Sequence, residues 1–423
     1  MRIARPPFWR PLILLWLAAG VAEGAPEFTY KSLEAEAASE LQAGEGRFGP
    51  SFLRLIGRAE LAVTGNLTAK AAVSPCGGPY STQAQGVTEC SVKRLVEEFT
   101  LGGAYSDFDF SFGRQVITQG NTEGFVLLDR FNGRDLCRFA RLDIQNKLPN
   151  WIGRGRAFLG GSTTLAVTYA PYSGESQIPD PGSYCDDTFH NAGRFSGLGD
   201  PMNNSLGDGA GGAELAVTRD KWSAALNVMS TREDLFVLGT VPALEKTRPR
   251  TLWLGGTASA TLGGIVARGE LAFAPDRAFT INPDALGGLL MQGVATNGID
   301  QRWNLLAVAG LEGQIDAWSW SLQYFHDRVD SGPALARDRQ SQMASLRVRK
   351  TFANDRVTFD GFTVFDIDYR DLGVRASVSY EISEAMRIAV GGTAYADFDN
   401  HPGLFGSYAG RESVYVKLTR TLF

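Results

Sequence analysis

Short segments in which apolar and polar residues alternate recur along nearly the whole chain. In Leu55-Ile56-Gly57-Arg58-Ala59-Glu60-Leu61-Ala62-Val63, apolar side chains fall on one face and charges on the other. A strand of that kind needs hydrocarbon on one side and water on the other. Repeated over hundreds of residues, the pattern predicts an all-β fold, a closed antiparallel transmembrane barrel.

Barrels of this class have short turns at the periplasmic end and long loops at the extracellular end, so connection length reports strand direction. Short turns are expected near Thr64–Asn66, Ser106–Asp107, Gly160–Ser162, Arg219–Lys221, Leu262–Gly264, Asp316–Ala317, Ala353–Asp355 and Ile382–Glu384. Long connections are expected near Ser74–Val92, Thr118–Asn150, Tyr172–Ala210, Arg232–Arg250, Asp276–Asp300, Asp327–Arg337 and Asp397–Gly410, with a shorter one near Tyr369–Asp371. This alternation demands an upward strand before Ser51, and Phe28–Leu41 is the material for it, although its Glu/Ala/Leu content also suits a helix. As a strand it points Tyr30, Ser32, Glu34 and Glu36 into the lumen, with Leu33, Ala35 and Ala37 outward. The count is then about 18 strands, the last being Ser413–Phe423, with about 16 as the alternative.

A barrel of that size encloses water rather than a packed core. The inward-folded loops expected to narrow it are Thr118–Asn150 and Tyr172–Ala210, far longer than a hairpin requires. Aromatics near strand ends (Trp151, Trp222, Trp253, Trp303, Trp318, Trp320, Tyr324, Tyr380 and Tyr395) suggest interfacial girdles. Phe423 suits a terminal aromatic used in barrel assembly, while Thr419 and Thr421 call for a late bulge in the last strand.

The ends and composition refine this picture. Arg2, Arg5 and Arg10 precede the apolar stretch Leu12–Val21 and the small residues Ala22 and Gly24, so residues 1–24 read as a signal peptide and 25–423 as one barrel domain. Without the signal, 41 basic and 46 acidic residues become 38 and 45, a net charge of −7, which argues against nucleic acid as a partner. No later stretch offers the roughly 20 apolar residues of a membrane helix. Cys76, Cys90, Cys137 and Cys185 fit disulfides in an oxidising compartment, with Cys76 to Cys90 and Cys137 to Cys185 as the pairing considered. No Cys-x-x-Cys or flanking histidine supports a metal, and no cofactor is expected.

With the apolar set facing lipid, the inward charges are Glu34, Glu36, Arg58, Glu60, Lys70, Arg94, Glu98, Arg268, Glu270, Arg347, Arg349, Arg375 and Arg387. Arg58 with Glu60, and Arg268 with Glu270, are expected to cancel as same-strand neighbours. The positive surplus falls on Arg347, Arg349, Arg375 and Arg387, a wall that would favour anionic solutes.

The most distinctive stretch runs Phe112-Gly113-Arg114-Gln115-Val116-Ile117-Thr118-Gln119-Gly120-Asn121-Thr122-Glu123-Gly124 and continues through Asp129, Asn132 and Asp135. Glycines let the chain turn inward at the strand end. The acids and Asn132 can cap a short helix or pair with Arg114, Arg130 and Arg134. Arg114 shares its parity with Phe108, Phe110 and Phe112, so a bulge at Gly113 is expected to turn it inward. With Gln115, Glu123, Asp129 and Asn132 it would form the constriction.

These residues resemble a family of proteobacterial outer-membrane barrels of unknown function with the motif Gly-Arg-Gln-x-Val/Ile-x-Trp-Gly, acidic-Gly, Asp-x-x-Asn-Pro-x-Asp. Gly113, Arg114, Gln115, Ile117, Gly120, Glu123, Gly124, Asp129, Asn132 and Asp135 match, whereas Gln119 and Gly133 replace the tryptophan and proline. The Gly-Arg-Gln strand is more remotely similar to that of alginate-export barrels. That resemblance implies 18 strands and loops partly occluding an arginine-lined lumen.

An enzyme on a barrel needs a nucleophile with a partner. His190, His326 and His401 sit beside no recognisable serine motif. The function expected is a porin-like outer-membrane channel for small anionic or polar solutes, with membrane lipid and the barrel assembly machinery as partners. The alternatives are an exporter of an acidic polysaccharide or a surface-interaction barrel with a filled lumen, for which the apolar loop piece Ala285–Met291 is the candidate contact.

Overall fold

The computed structural model describes residues 27–42, 47–77, 94–122, 124–125, 127–143, 146–179, 208–240, 243–294, 296–399 and 403–422. The first six strands are β1 (Glu27–Gln42), β2 (Arg47–Ala62), β3 (Leu67–Val73), β4 (Val96–Ala104), β5 (Phe108–Gln115) and β6 (Asn150–Phe158). Next come β7 (Thr163–Ala170), β8 (Ala210–Thr218), β9 (Trp222–Arg232), β10 (Arg250–Leu262), β11 (Ile265–Thr280) and β12 (Ile299–Ile315). The last six are β13 (Trp318–Val329), β14 (Gln340–Phe352), β15 (Val357–Asp366), β16 (Asp371–Ser383), β17 (Met386–Asp397) and β18 (Ser413–Thr421). A two-residue stretch, Cys76–Gly77, extends β3 along β2. Each strand pairs antiparallel with its neighbours in sequence, and β1 pairs with β18 from Glu34 opposite Thr421 to Gln42 opposite Ser413. The 18-stranded sheet is thereby closed, which removes every free edge. Short turns and long connections fall as the sequence pattern requires.

Side-chain period and pairing set the two faces. Leu226 is 71% exposed on the outside, and Leu271, Leu346, Val378, Val390 and Val416 are exposed with it. No described helix is long and apolar enough to cross a membrane; the crossing elements are strands.

The first segment is a strand despite its helical composition, because tertiary partners outweigh propensity. Glu36 accepts from Arg54 of β2 at 3.0 Å and pairs with Lys417 of β18 at 2.8 Å. One assignment within it is corrected. The register shifts between Tyr30 and Ser32, so Lys31 reaches the inward Glu60 at 3.3 Å while Tyr30 lies opposite the outward Ala59. A single extra residue has flipped the face.

The last strand needs no bulge. Its register is unbroken against both neighbours, with Val414, Val416 and Leu418 outward and Lys417 inward. Phe423 lies outside the described residues. Two expected girdle members are also corrected: Trp253 is 1% exposed and Tyr395 is 8% exposed, both inside the barrel under loops. The other aromatics remain exposed or half-exposed.

Candidate functional site: a lumen narrowed by loops

Between β5 and β6 the chain folds into the barrel rather than standing above it. Ile117, Leu127, Leu128 and Phe131 pack against inward Ile152, Ala170, Ala210, Met229, Trp253, Ala272, Ala274, Leu306 and Val308. This part of the interior is a dry seat, not the polar wall expected of a porin. Small inward residues make the room. A Cβ on Gly255 would come within 2.3 Å of Leu128, and one on Gly212 within 3.2 Å of Phe131. Arg130 lies 4.2 Å from the Trp253 ring centroid and Arg277 lies 5.3 Å from it. Burial, helped by the nearby Arg277, brings the Arg130 guanidinium down to about 10.

The neck of the loop is pinned by its own polar residues. The Ile117 N–H donates to Asn132 Oδ1 (3.0 Å), and Asn132 Nδ2 donates to Leu148 O (2.9 Å). Asp129 pairs with Lys147; burial nevertheless pushes its carboxyl up. Asp135 caps the helix α1 (Leu136–Ala140), accepting from Arg138 N–H at 3.2 Å, and pairs with Arg94 at 3.4 Å. The tip then spans the interior to β11 and β13, where Glu270 accepts four loop donors and Phe125 stacks on Phe325 at 5.3 Å. A second loop also folds inward: Phe405 and Tyr408, after β17, pack with Leu142, Val364 and Tyr395, and Asp371 accepts the Phe405 and Gly406 N–H groups.

A cavity of about 360 Å³ stays open against β1, β2, β14–β16 and β18. Its charged lining is Arg54, Arg138, Arg141, Arg347, Arg349, Arg375 and Lys417 against Glu36, Glu40, Asp143 and Asp360, a surplus of three positive charges. Phe52, Phe362 and Tyr415 supply aromatic surface, with Arg375 lying 5.5 Å from the Tyr415 ring centroid. Arg141 pairs with Glu40 (2.5 Å), and Arg347 with Asp360 (2.8 Å). Arg349 is exposed to the cavity and, among the described residues, forms no ion pair. Burial brings the Arg138 guanidinium down to about 10. A further chamber of about 720 Å³ opens towards the short-turn end, lined by Glu60, Lys70, Glu98, Asp109, Gln115, Arg154 and Arg156. There Arg154 pairs with Glu214 (3.1 Å) and Arg156 with Asp109 (2.5 Å).

The expected site residues divide accordingly. Arg347, Arg349 and Arg375 converge on the first cavity and Gln115 on the second. Arg58 and Arg268 face inward but pair across strands, with Glu34 (2.5 Å) and Glu312 (2.9 Å), rather than with Glu60 and Glu270. Neighbours two apart on a strand diverge from the cross-strand contact distance, so the adjacent strand wins.

Three assignments to the pore are corrected: Arg94 is buried with Asp135, and Asp129 and Asn132 are buried inside the loop. Arg387 keeps inward parity at the short-turn mouth, away from the first cavity and paired with Glu381. The bulge at Gly113 is absent too: Arg114 stands opposite Phe99 and Trp151 in unbroken register and keeps outward parity. Its Nε donates to Val96 O at 2.7 Å. Gly113 is needed for another reason, since at φ +142° its Cβ would lie 2.1 Å from Phe99 O.

Glu123, Cys90 and Cys185 lie outside the described residues; Cys76 and Cys137 are not free thiols. The sequence reading missed Arg54, Arg138, Arg141 and Lys417. Arg54 and Lys417 share the inward parity of Arg58 and Tyr415 and were available from the alternation.

No family model matches this chain, and no curated protein does either. The resemblance to the Gly-Arg-Gln barrels rests on those residues alone. Among solved structures the chain is similar to three Pseudomonas aeruginosa proteins. The outer-membrane protein OpdK shares 8% identity and a TM-score of 0.52 over 95% of this chain and 99% of that one. OccK8 (OprE) shares 10% with a TM-score of 0.51, and OccK9 (OpdG) shares 10% with a TM-score of 0.53, each over 94% of this chain and 98% of that one. At such identity the likeness is one of architecture: a closed antiparallel barrel of the outer-membrane kind.

Proposed function

We propose that this protein is a passive outer-membrane channel for small anionic solutes. The observation carrying the reading is the basic cavity: seven cations face four carboxylates in the space the loops leave open, although the chain as a whole is net negative. In a narrow aqueous path with low-dielectric walls, such a surplus raises the local concentration of anions. The cavity's aromatic faces beside Arg347 and Arg375 suit a planar carboxylate. OpdK has been solved with vanillate, a compound of that chemistry. Transport is diffusion down a gradient, with no group for energy coupling required.

The remaining parts of the proposal concern the envelope. Residues 1–24 serve as the secretion signal, the assembly machinery inserts the mature barrel, and Cys76 pairs with Cys90 and Cys137 with Cys185. Mass mapping of peptides from the unreduced protein tests that pairing. The function itself is tested in planar bilayers. Discrete current steps with a reversal potential favouring chloride over potassium, and transient block by an aromatic carboxylate, are expected. An absence of steps removes the channel; steps without anion preference remove the selectivity.

A further inference from the structure

Resting on the channel reading, we propose that Glu270 is the latch that holds the loop tip, through Asn121, Thr122 and Leu127, across the lumen, and that its release widens the aperture. Glu270 points inward from β11 and is 3% exposed. Its Oε1 accepts from the Asn121 N–H (2.6 Å), the Thr122 N–H (2.8 Å) and the Thr122 hydroxyl (2.7 Å), and its Oε2 accepts from the Leu127 N–H (3.0 Å). Among the described residues no cation pairs with it, and its strand neighbour Arg268 is occupied by Glu312. A buried carboxylate without a cation is costly unless donors surround it. Here every donor comes from the loop, so the wall and the tip satisfy each other through charge-assisted bonds.

The polar hold on the tip is concentrated at Glu270. Gly120 and Gly124 adopt φ of +98° and +85°, and a Cβ on Gly120 would lie 2.4 Å from Glu270 Oε1. Beyond Glu270, the tip's polar attachment to the wall among the described residues is a single bond from Asn121 Nδ2 to Ala258 O (3.1 Å). Phe125 adds apolar packing, stacking on Phe325 and lying against both buried clusters. By contrast, the seat holding Leu128 and Phe131 is broad and apolar, so the loop's base stays when its tip lets go. Glu270 is thus a positioning residue, acting on solute only through the loop.

The test compares the wild-type chain with Glu270→Ala in planar bilayers, together with maleimide labelling of Asn121→Cys in both backgrounds. Glu270→Ala is expected to raise unit conductance by about twofold or more and to speed labelling of position 121 by about tenfold. A Thr122→Cys/Glu270→Cys double variant, oxidised, is expected to return conductance to the wild-type size and to enlarge on reduction, with the wild-type chain reduced in parallel as reference. A wild-type chain without current steps would overturn the channel and leave the labelling ratio to decide the latch. Equal labelling rates with and without Glu270, or wild-type conductance in Glu270→Ala, would overturn the latch.

Discussion

Neutralising Arg349 isolates the electrostatic part of the mechanism. Its guanidinium is exposed to the cavity without an ion pair among the described residues, whereas Arg347 holds Asp360 at 2.8 Å. Arg349→Gln therefore removes one charge and orphans none. Arg349→Glu would confound the result, since position 349 lies directly opposite Asp360 in register. A unit charge about 5 Å from a permeating ion contributes roughly 0.8 kcal/mol in water, falling to about 0.5 kcal/mol at 0.1 M salt. Anions lose that amount and cations gain it, so the anion-to-cation permeability ratio should fall about fivefold. At 1 M salt, where screening is about three times shorter in range, the change should shrink to about 1.7-fold. Reversal potentials across a salt gradient measure both. A ratio unchanged at low salt, or a change that persists undiminished at high salt, would refute the electrostatic account.

Other substitutions probe the fold that creates the site. Gly113→Ala forces a Cβ to 2.1 Å from Phe99 O at a left-handed φ, and should cost about 2 kcal/mol or more, read as loss of the heat-modifiable folded band in cold gels. Trp253→Ala empties a fully buried site and unstacks Arg130 and Arg277. A loss of about 3–5 kcal/mol in urea unfolding is expected, with Trp253→Phe recovering much of it. Leu226→Arg, on the most exposed part of the outer face cited above, should cost about 2–4 kcal/mol in lipid if that face meets hydrocarbon near the midplane. An insignificant cost there would place the position outside the bilayer.

Strand number, turn positions and most inward charges were legible because bilayer and water impose a period of two and a strict alternation of connection lengths. The reading failed where protein, not water, fills the inside. In β12, Leu305, Leu306, Ala307, Val308 and Ala309 are apolar on both faces, since Leu306 and Val308 lie under the loop. Trp253 looked like a girdle residue for the same reason. Alternation assigns a residue to a face but does not say what covers it. A usable signal was present: inward glycine and alanine at 212, 255, 272 and 274 offer no side chain to line a pore, yet leave room for a loop. Arg114 failed differently, because a long guanidinium can satisfy itself on Val96 O without any change of register.

The apolar seat and the basic cavity are two consequences of one arrangement. With the loop filling the β6–β13 side, the basic cavity lies where β1, β2, β14–β16 and β18 meet, while the chamber nearer the short turns carries three basic and three acidic wall residues that offset one another. Arg268 and Arg58 point inward as surely as Arg349 does, but each is matched across a strand by a carboxylate, so neither adds to the surplus. Selectivity in such a barrel follows from which inward charges the loop leaves uncovered and unpaired, not from the total charge of the wall. Under the proposed function, that is how a net-negative chain would present an anion-favouring path, and the hold of Glu270 on the loop and the charge of Arg349 should be separable, one setting aperture and the other preference.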